Sequence, residues 1–221
     1  MKKIKHGAIP KWYDKNCEVE ALFNDDSPNA KTTNSTIEKI LKKYKVKTVL
    51  DLTCGTGSQV FWLAKQGYKV VGCDINAKML QIAKNKNQKR KLNVKFVKGD
   101  MRTAQLGKFD AAITIFLAGD NITKLTIDIQ KKYKNATVRE IQYSTINDAG
   151  ILASYDIYHK QVGLTKPKIS KAFQTLQVYS AKQLNEMLSN NGFKVLRQCS
   201  VDGSRFYENK TERILTIAQK Q

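Results

Sequence analysis

Three acids in the first half of the chain stand where one small ligand could use them. Asp51 precedes two glycines in "VLDLTCGTGSQV", Asp74 ends "KVVGCDI", and Asp100 follows a glycine in "GDM". Glycines in such a turn let the backbone bend sharply and come close to a bound molecule. From Gly55 the pattern runs Gly55, Gly57, Val60, so a branched residue replaces the third glycine of a dinucleotide-binding turn. The phosphate loop G-x-x-x-x-G-K-S/T does not occur. Asp51, four residues ahead of Gly55, would repel a pyrophosphate and suits a ligand with a charged amine. Asp74 is placed for two ribose hydroxyls. Asp100 can accept from the exocyclic amine of a base, and Met101 beside it can pack on the ring.

Each acid ends a predicted strand. The strands are β1 in "KTVLDLT" (47–53), β2 in "KVVGCDI" (69–75), β3 in "NVKFVKGD" (93–100) and β4 in "KFDAAITIF" (108–116). Helices alternate with them. The first is expected to be capped at Thr33, Asn34 or Ser35, with Ile37, Ile40, Leu41 and Tyr44 on one face. The next puts Val60, Phe61, Leu63 and Ala64 inward and ends near Gly67. The third is capped by Asn76, with Met79, Leu80, Ile82 and Ala83 inward. Apolar strands alternating with helices predict an α/β chain with a doubly wound, Rossmann-like sheet, whose ligands bind beyond the carboxyl ends of the strands. Residues 121–178 read differently. They alternate apolar and polar around "NDAG", a hairpin signal, and predict an antiparallel β lobe inserted after β4. A helix capped by Ser180, a strand at "KVLRQCSV" and an antiparallel last strand at "ERILTIAQK" follow. The expected parts are 1–120 (N-terminal cap and cofactor core), 121–178 (lobe) and 179–221 (completion of the core sheet).

An ammonium, a ribose, an adenine and no phosphate add up to S-adenosylmethionine. The run from "VLDLTCGTGSQV" through "VVGCDINAKM" and "VKGDMR" to "KFDAAITIF" resembles the cofactor half of class I S-adenosylmethionine-dependent methyltransferases, over about residues 32–116. The C-terminal "VYSAKQLNEMLSNNGFKVLRQCSVDGSRF" resembles the last helix and strand of small-molecule members. The resemblance implies a seven-stranded sheet whose last strand is antiparallel. It implies cofactor binding by the 51–57 loop (Asp51, Thr53, Cys54, Gly55, Gly57), by Asp74 at the ribose and by Asp100 and Met101 at the adenine. Ile75, Met79 and Phe116 join that set, and Tyr13, in an N-terminal "YD" segment, is expected to fold over the cofactor. Thr53 stands where many members have glycine.

The pattern departs from the family after β4. Only nine positions separate Phe116 from Leu125, and a parallel crossover needs about a dozen residues. Roughly 35–40 residues of the usual connection are missing. "KLTIDIQ" is expected to be a strand, but not a crossover strand. Three consequences are open. The sheet is shorter, with β4 meeting the C-terminal strand; or a partner chain covers the exposed edge, as in a homodimer; or catalysis is weak.

Methyl transfer from a sulfonium is an in-line displacement that needs alignment and exclusion of water more than any one catalytic side chain, so no catalytic residue is assigned. Substrate-side candidates are Tyr155, Tyr158, His159, Arg205 and Tyr207 beside Tyr13 and Phe116. A small-molecule acceptor is favoured. An RNA or protein methyltransferase, or a cofactor-binding protein with little or no catalysis, are the alternatives. The net charge of +20 invites nucleic acid, yet only six of 39 basic residues are arginine, the usual reader of phosphates and bases. Four cysteines without a C-x-x-C pair and two histidines predict no metal site and no disulfides. The basic N-terminus lacks the apolar centre of a signal peptide, and no apolar run nears the roughly 18 residues of a membrane span. A cytoplasmic protein is expected.

Overall fold

The computed structural model describes Cys17 and residues 28–220 apart from 102, 118–123, 134, 209 and 212. The chain divides into two compact units, one holding Asn24–Gly119 and Tyr179–Gln221, the other holding Asp120–Val178.

The first unit is built on a six-stranded sheet. Its strands are β1 (Thr48–Asp51), β2 (Lys69–Asp74), β3 (Lys95–Lys98), β4 (Ala111–Leu117), β9 (Phe193–Ser200) and β10 (Arg213–Lys220), in the order β3-β2-β1-β4-β10-β9. The β1–β2, β1–β4 and β2–β3 pairs are parallel. β10 is antiparallel to both of its neighbours. Helices α1 (Pro28–Lys43), α2 (Ser58–Lys65), α3 (Ala77–Arg90) and α4 (Ala181–Asn190) connect the strands.

The core forms where the apolar stripes of three helices meet the sheet. Ile37 and Leu41 of α1, Val60, Phe61 and Leu63 of α2, and Leu80 and Ala83 of α3 pack with Val49, Val70, Ile113, Leu215 and Ile217. Full burial of an aliphatic or aromatic side chain of this size contributes about 1.5–3 kcal/mol. α1 starts earlier than its polar stretch suggested. Pro28 occupies the first helical position, where its fixed φ and missing N–H cost nothing. Thr33 and Asn34 are therefore buried inside the helix and do not cap it. Two caps form as expected. Asn76 Oδ1 accepts from the N–H groups of Lys78 and Met79. Ser180 and Gln183 make a reciprocal capping box.

The sheet corrects one implication of the family resemblance: among the described residues it has six strands, not seven. A parallel strand cannot follow β4 across so short a connection, so no strand intervenes between β4 and the antiparallel β10. Ile217 lies opposite Ile113 and Leu215 opposite Ile115. This is the first of the three arrangements considered above, a shorter sheet closed by the C-terminal strand.

The second unit is a four-stranded antiparallel meander of β5 (Lys124–Tyr133), β6 (Ala136–Ile146), β7 (Ile151–Val162) and β8 (Lys168–Gln177). "KLTIDIQ" lies in β5 and pairs with β6, so it is a lobe strand and not a crossover strand. Asn147 Oδ1 accepts from the N–H groups of Ala149 and Ile151 and sets the turn between β6 and β7. Strand periodicity divides the sheet. Val138, Glu140 and Ser144 of β6 and Leu152, Ser154, Asp156 and Tyr158 of β7 are buried, while Tyr143 and Tyr155 are exposed.

Candidate functional site

β1 delivers Asp51 to the carboxyl end of the sheet, opposite Gly72 of β2 and Ile113 of β4. The chain then turns back on itself. Leu52 donates its N–H to Ile113 O at 3.1 Å, Cys54 donates to Cys73 O at 2.9 Å, and Gly57 donates to Cys54 O at 2.8 Å. Gly57 takes φ +92°, and a Cβ there would lie 2.7 Å from the Phe61 ring, so only glycine lets the loop pass into α2. Gly72 has a packing reason instead. A Cβ on it would sit 2.9 Å from both Cys54 Sγ and the Phe96 ring. No side chain caps the N-terminus of α2, which leaves first-turn N–H donors for a ligand anion.

Asp51 is 3% exposed. Its Oδ1 accepts the Thr53 N–H at 3.2 Å, and its Oδ2 is buried with no hydrogen-bond partner among the described residues. Asp74 is held from two sides: Oδ2 accepts the Gly55 N–H and Oδ1 the Asn76 N–H, both at 2.8 Å. Each carboxylate oxygen retains a lone pair for a further donor. The backbone carbonyl of Asp74 accepts the Gly99 N–H at 3.0 Å, which ties the end of β2 to the turn carrying Asp100. Asp100 O accepts from Thr103 and Ala104, so Asp100 and Met101 open a tight turn.

The electrostatics bind these acids into one site. Burial pushes the Asp51 carboxyl up to about 7; the Thr53 N–H opposes this and the Asp74 charge adds to it. Burial also raises Asp74, against the N–H groups of Asn76, Gly55 and Ile75. Among the described residues, only backbone donors hold these two carboxyls down. The buried Cys73 thiol is raised first by burial and then by Asp74, Asp51 and Asp100 together, so all three acids converge on it. Such a cluster favours a cationic, donor-rich ligand.

Of the residues singled out in the sequence, Asp51, Thr53, Cys54, Gly55, Gly57, Asp74, Ile75, Asp100 and Met101 lie at the carboxyl ends of β1–β3. Thr53 Oγ1 lies 3.3 Å from Thr114 Oγ1 of β4. Cys54 is buried and its thiol is pushed up by burial, consistent with a packing role. All four cysteines are unpaired in disulfides. Met79 is buried in the first turn of α3, and Ile75 is 40% exposed. Phe116 lies in β4 opposite Ile214; its side chain falls outside the described set, as does Tyr13. The substrate-side candidates are divided between the two units. Tyr155 and His159 belong to β7, where Tyr155 packs on Phe173 with ring centroids 4.8 Å apart. Arg205 and Tyr207 belong to the β9–β10 loop of the other unit, the guanidinium 5.3 Å from the Tyr207 ring. Tyr158 is on the buried face of β7 and donates to Glu140 Oε1 at 2.5 Å, which corrects its grouping with Tyr155. Sequence reasoning missed Asn76 as a donor to Asp74, although its place two residues after the acid is the spacing of an Asx turn. It also missed Gly72, for which a glycine inside a strand was the signal.

Residues 49–141 match a family model described as a methyltransferase domain. A Geobacillus sp. (strain WCH70) protein named as a candidate methyltransferase is 28% identical over 151 residues, which is 66% of this chain. The chain spans 55% of that relative's length. Among solved structures, an S-adenosylmethionine-dependent methyltransferase from Clostridium acetobutylicum ATCC 824 superposes with a TM-score of 0.72 at 16% identity, covering 95% of this chain and 99% of its own. An amino pentose methyltransferase from Micromonospora echinaspora gives a TM-score of 0.66 at 15% identity, covering 99% of this chain and 100% of its own. These likenesses establish a shared fold.

Proposed function

We propose that this chain, whose residues 49–141 match a methyltransferase-domain model, transfers a methyl group from S-adenosylmethionine to a small-molecule acceptor. The observation that carries the reading is Asp51. A buried carboxylate oxygen with no partner among the described residues, in a loop that bars phosphates by its charge, is what a ligand ammonium completes. The rest of the site fits the same molecule. The spare lone pairs of Asp74 suit vicinal ribose hydroxyls, Asp100 an adenine amine and Met101 the ring beside it. The first-turn N–H groups of α2 suit the methionine carboxylate. S-adenosylmethionine, when bound, supplies a methyl group activated by its sulfonium. What the chain contributes is orientation: three strand ends and one helix terminus, fixed by backbone hydrogen bonds, hold the ligand without reorganising.

The small-molecule acceptor is supported by the full-length likeness to the amino pentose methyltransferase, which extends through the antiparallel lobe. The Clostridium structure aligns over 95% of this chain and 99% of its own, so a fold of this extent supports an intact enzyme over a damaged one. Calorimetric titration of the full chain with S-adenosylhomocysteine tests the reading. One-to-one binding is expected. Folded protein that binds none would sink it.

A further inference from the structure

In β6 and β7 the covered face of the second unit is largely polar. Glu140, Ser144, Ser154, Asp156 and Tyr158 are buried there beside Val138 and Leu152. The opposite face carries the rings. Tyr143 lies opposite Tyr155, and Tyr155 opposite Phe173, so the three form one row across β6, β7 and β8. They are 49%, 55% and 45% exposed, and Ile169, on the same face of β8, is 54% exposed. In the next row Ile141 lies opposite Ile157. A sheet face with this much apolar surface gains free energy when it is covered.

Size and charge point to a second copy of the same face as the cover. Four strands about 4.8 Å apart, each of about ten residues at roughly 3.3 Å, make a face of roughly 630 Å² in projection. Side chains standing on it bring its accessible area close to the roughly 800 Å² that each partner brings to a standard interface. The charges match themselves. One row reads Asp128, Ile141, Ile157, Lys171 across β5 to β8, with both charged ends exposed. A twofold axis parallel to the strands, between β6 and β7, lays β5 on the partner's β8 and β6 on the partner's β7. Asp128 then meets the partner's Lys171, Ile141 the partner's Ile157, and Tyr143 the partner's Tyr155. Arg139 already orients Asp128, donating to its Oδ1 at 2.8 Å and its Oδ2 at 2.5 Å. Nucleic acid fits this face less well. The Tyr155 and Phe173 rings pack on one another, centroids 4.8 Å apart and planes tilted by 47°, and do not lie flat as a platform for bases.

We propose that the aromatic face of the lobe is a twofold interface between two copies of this chain, stacked sheet on sheet with Lys171 of each against Asp128 of the other. Sheets packed in this way lie about 10 Å apart with their strands within about 30° of parallel. The surface is a sheet face, distinct from an open edge of the core sheet. It does not depend on the reading of methyl transfer.

Sedimentation equilibrium of the full chain tests it. A reversible monomer–dimer equilibrium is expected. Tyr155→Glu, which puts a charge in the apolar row, and Lys171→Glu, which sets two acids against each other twice, should each weaken the dimer at least about a hundredfold. Asp128→Lys should do the same by setting lysine against lysine. Mixing the Lys171→Glu and Asp128→Lys chains should restore a dimer, because in the mixed pair every acid again meets a lysine. That rescue also shows that both variants are folded. A parent chain that stays monomeric overturns the proposal, as does a dimer that neither Tyr155→Glu nor Lys171→Glu weakens. A mixture that fails to pair overturns the twofold arrangement. A monomeric parent that retains single-stranded RNA, and loses it on Tyr155→Glu, would assign the face to nucleic acid instead.

Discussion

Asp51→Asn is the most informative single change, because it should stabilise the protein while disabling the site. The asparagine oxygen can keep the Thr53 N–H bond and the ionisable group is gone. In the unfolded chain Asp51 ionises near its ordinary 3.8; in the folded protein it does so only near 7. Below pH 4 both forms carry the proton and the group costs nothing. As pH rises the unfolded chain ionises first, so the folded state loses stability progressively until about pH 7 and no further beyond. Each pH unit in that window costs about 1.4 kcal/mol, so the full cost is about 4 kcal/mol as an upper bound. Asp51→Asn removes that cost. At pH 8 its melting midpoint should exceed that of the parent by up to roughly 8–16 °C, at about 2–4 °C per kcal/mol for a chain of this size. At pH 5.5 the gain should fall by about 2 kcal/mol. The same variant should bind S-adenosylhomocysteine about 10–100-fold more weakly, the worth of a lost charge-assisted bond. Circular dichroism melts at the two pH values, with calorimetry alongside, read all of this. A variant that melts at or below the parent temperature at pH 8, with unchanged ligand affinity, would refute the reasoning.

Two further changes probe the parts that hold the site. Gly57→Ala forces a Cβ into the Phe61 ring at a positive φ, and should cost about 2 kcal/mol, or roughly 4–8 °C in thermal midpoint; a neutral result in a thermal melt would show that the loop shifts freely. Ser180→Ala removes the capping-box side chain of α4 and should cost about 1 kcal/mol in denaturant unfolding. S-adenosylhomocysteine affinity should be untouched by it, and a matching loss of affinity would tie α4 to the cofactor site.

The chain order of residues carried a good deal of this. Asp51, Gly55, Gly57, Asp74 and Asp100 are recognisable because each sits at the end of a short apolar run, where local pattern sets both the strand and the direction of its last side chain. The caps at Asn76 and Ser180 are equally local, each a side chain reaching N–H groups two or three residues on. The start of α1 was misjudged for a related reason. Thr33 and Asn34 have the composition of caps, but Pro28 begins the helix ahead of them and burial against α2 outweighs their local preference.

Other features belong to the folded state alone. That β10 would lie against β4 follows from pairings across about a hundred residues, which no local pattern encodes; the short connection after β4 showed only that no parallel strand could come there. The near-neutral ionisation of Asp51 is likewise tertiary. An aspartate in sequence is an ordinary acid, and it becomes a poised carboxyl with one oxygen lacking a partner among the described residues only when β2, β4 and the glycine loop close over it and bring Asp74 near. Sequence settles what a residue can do within a turn of helix or a strand end, because those geometries are short-range. Which groups share a dielectric environment, and so which charges are left for a ligand to neutralise, is settled only by packing.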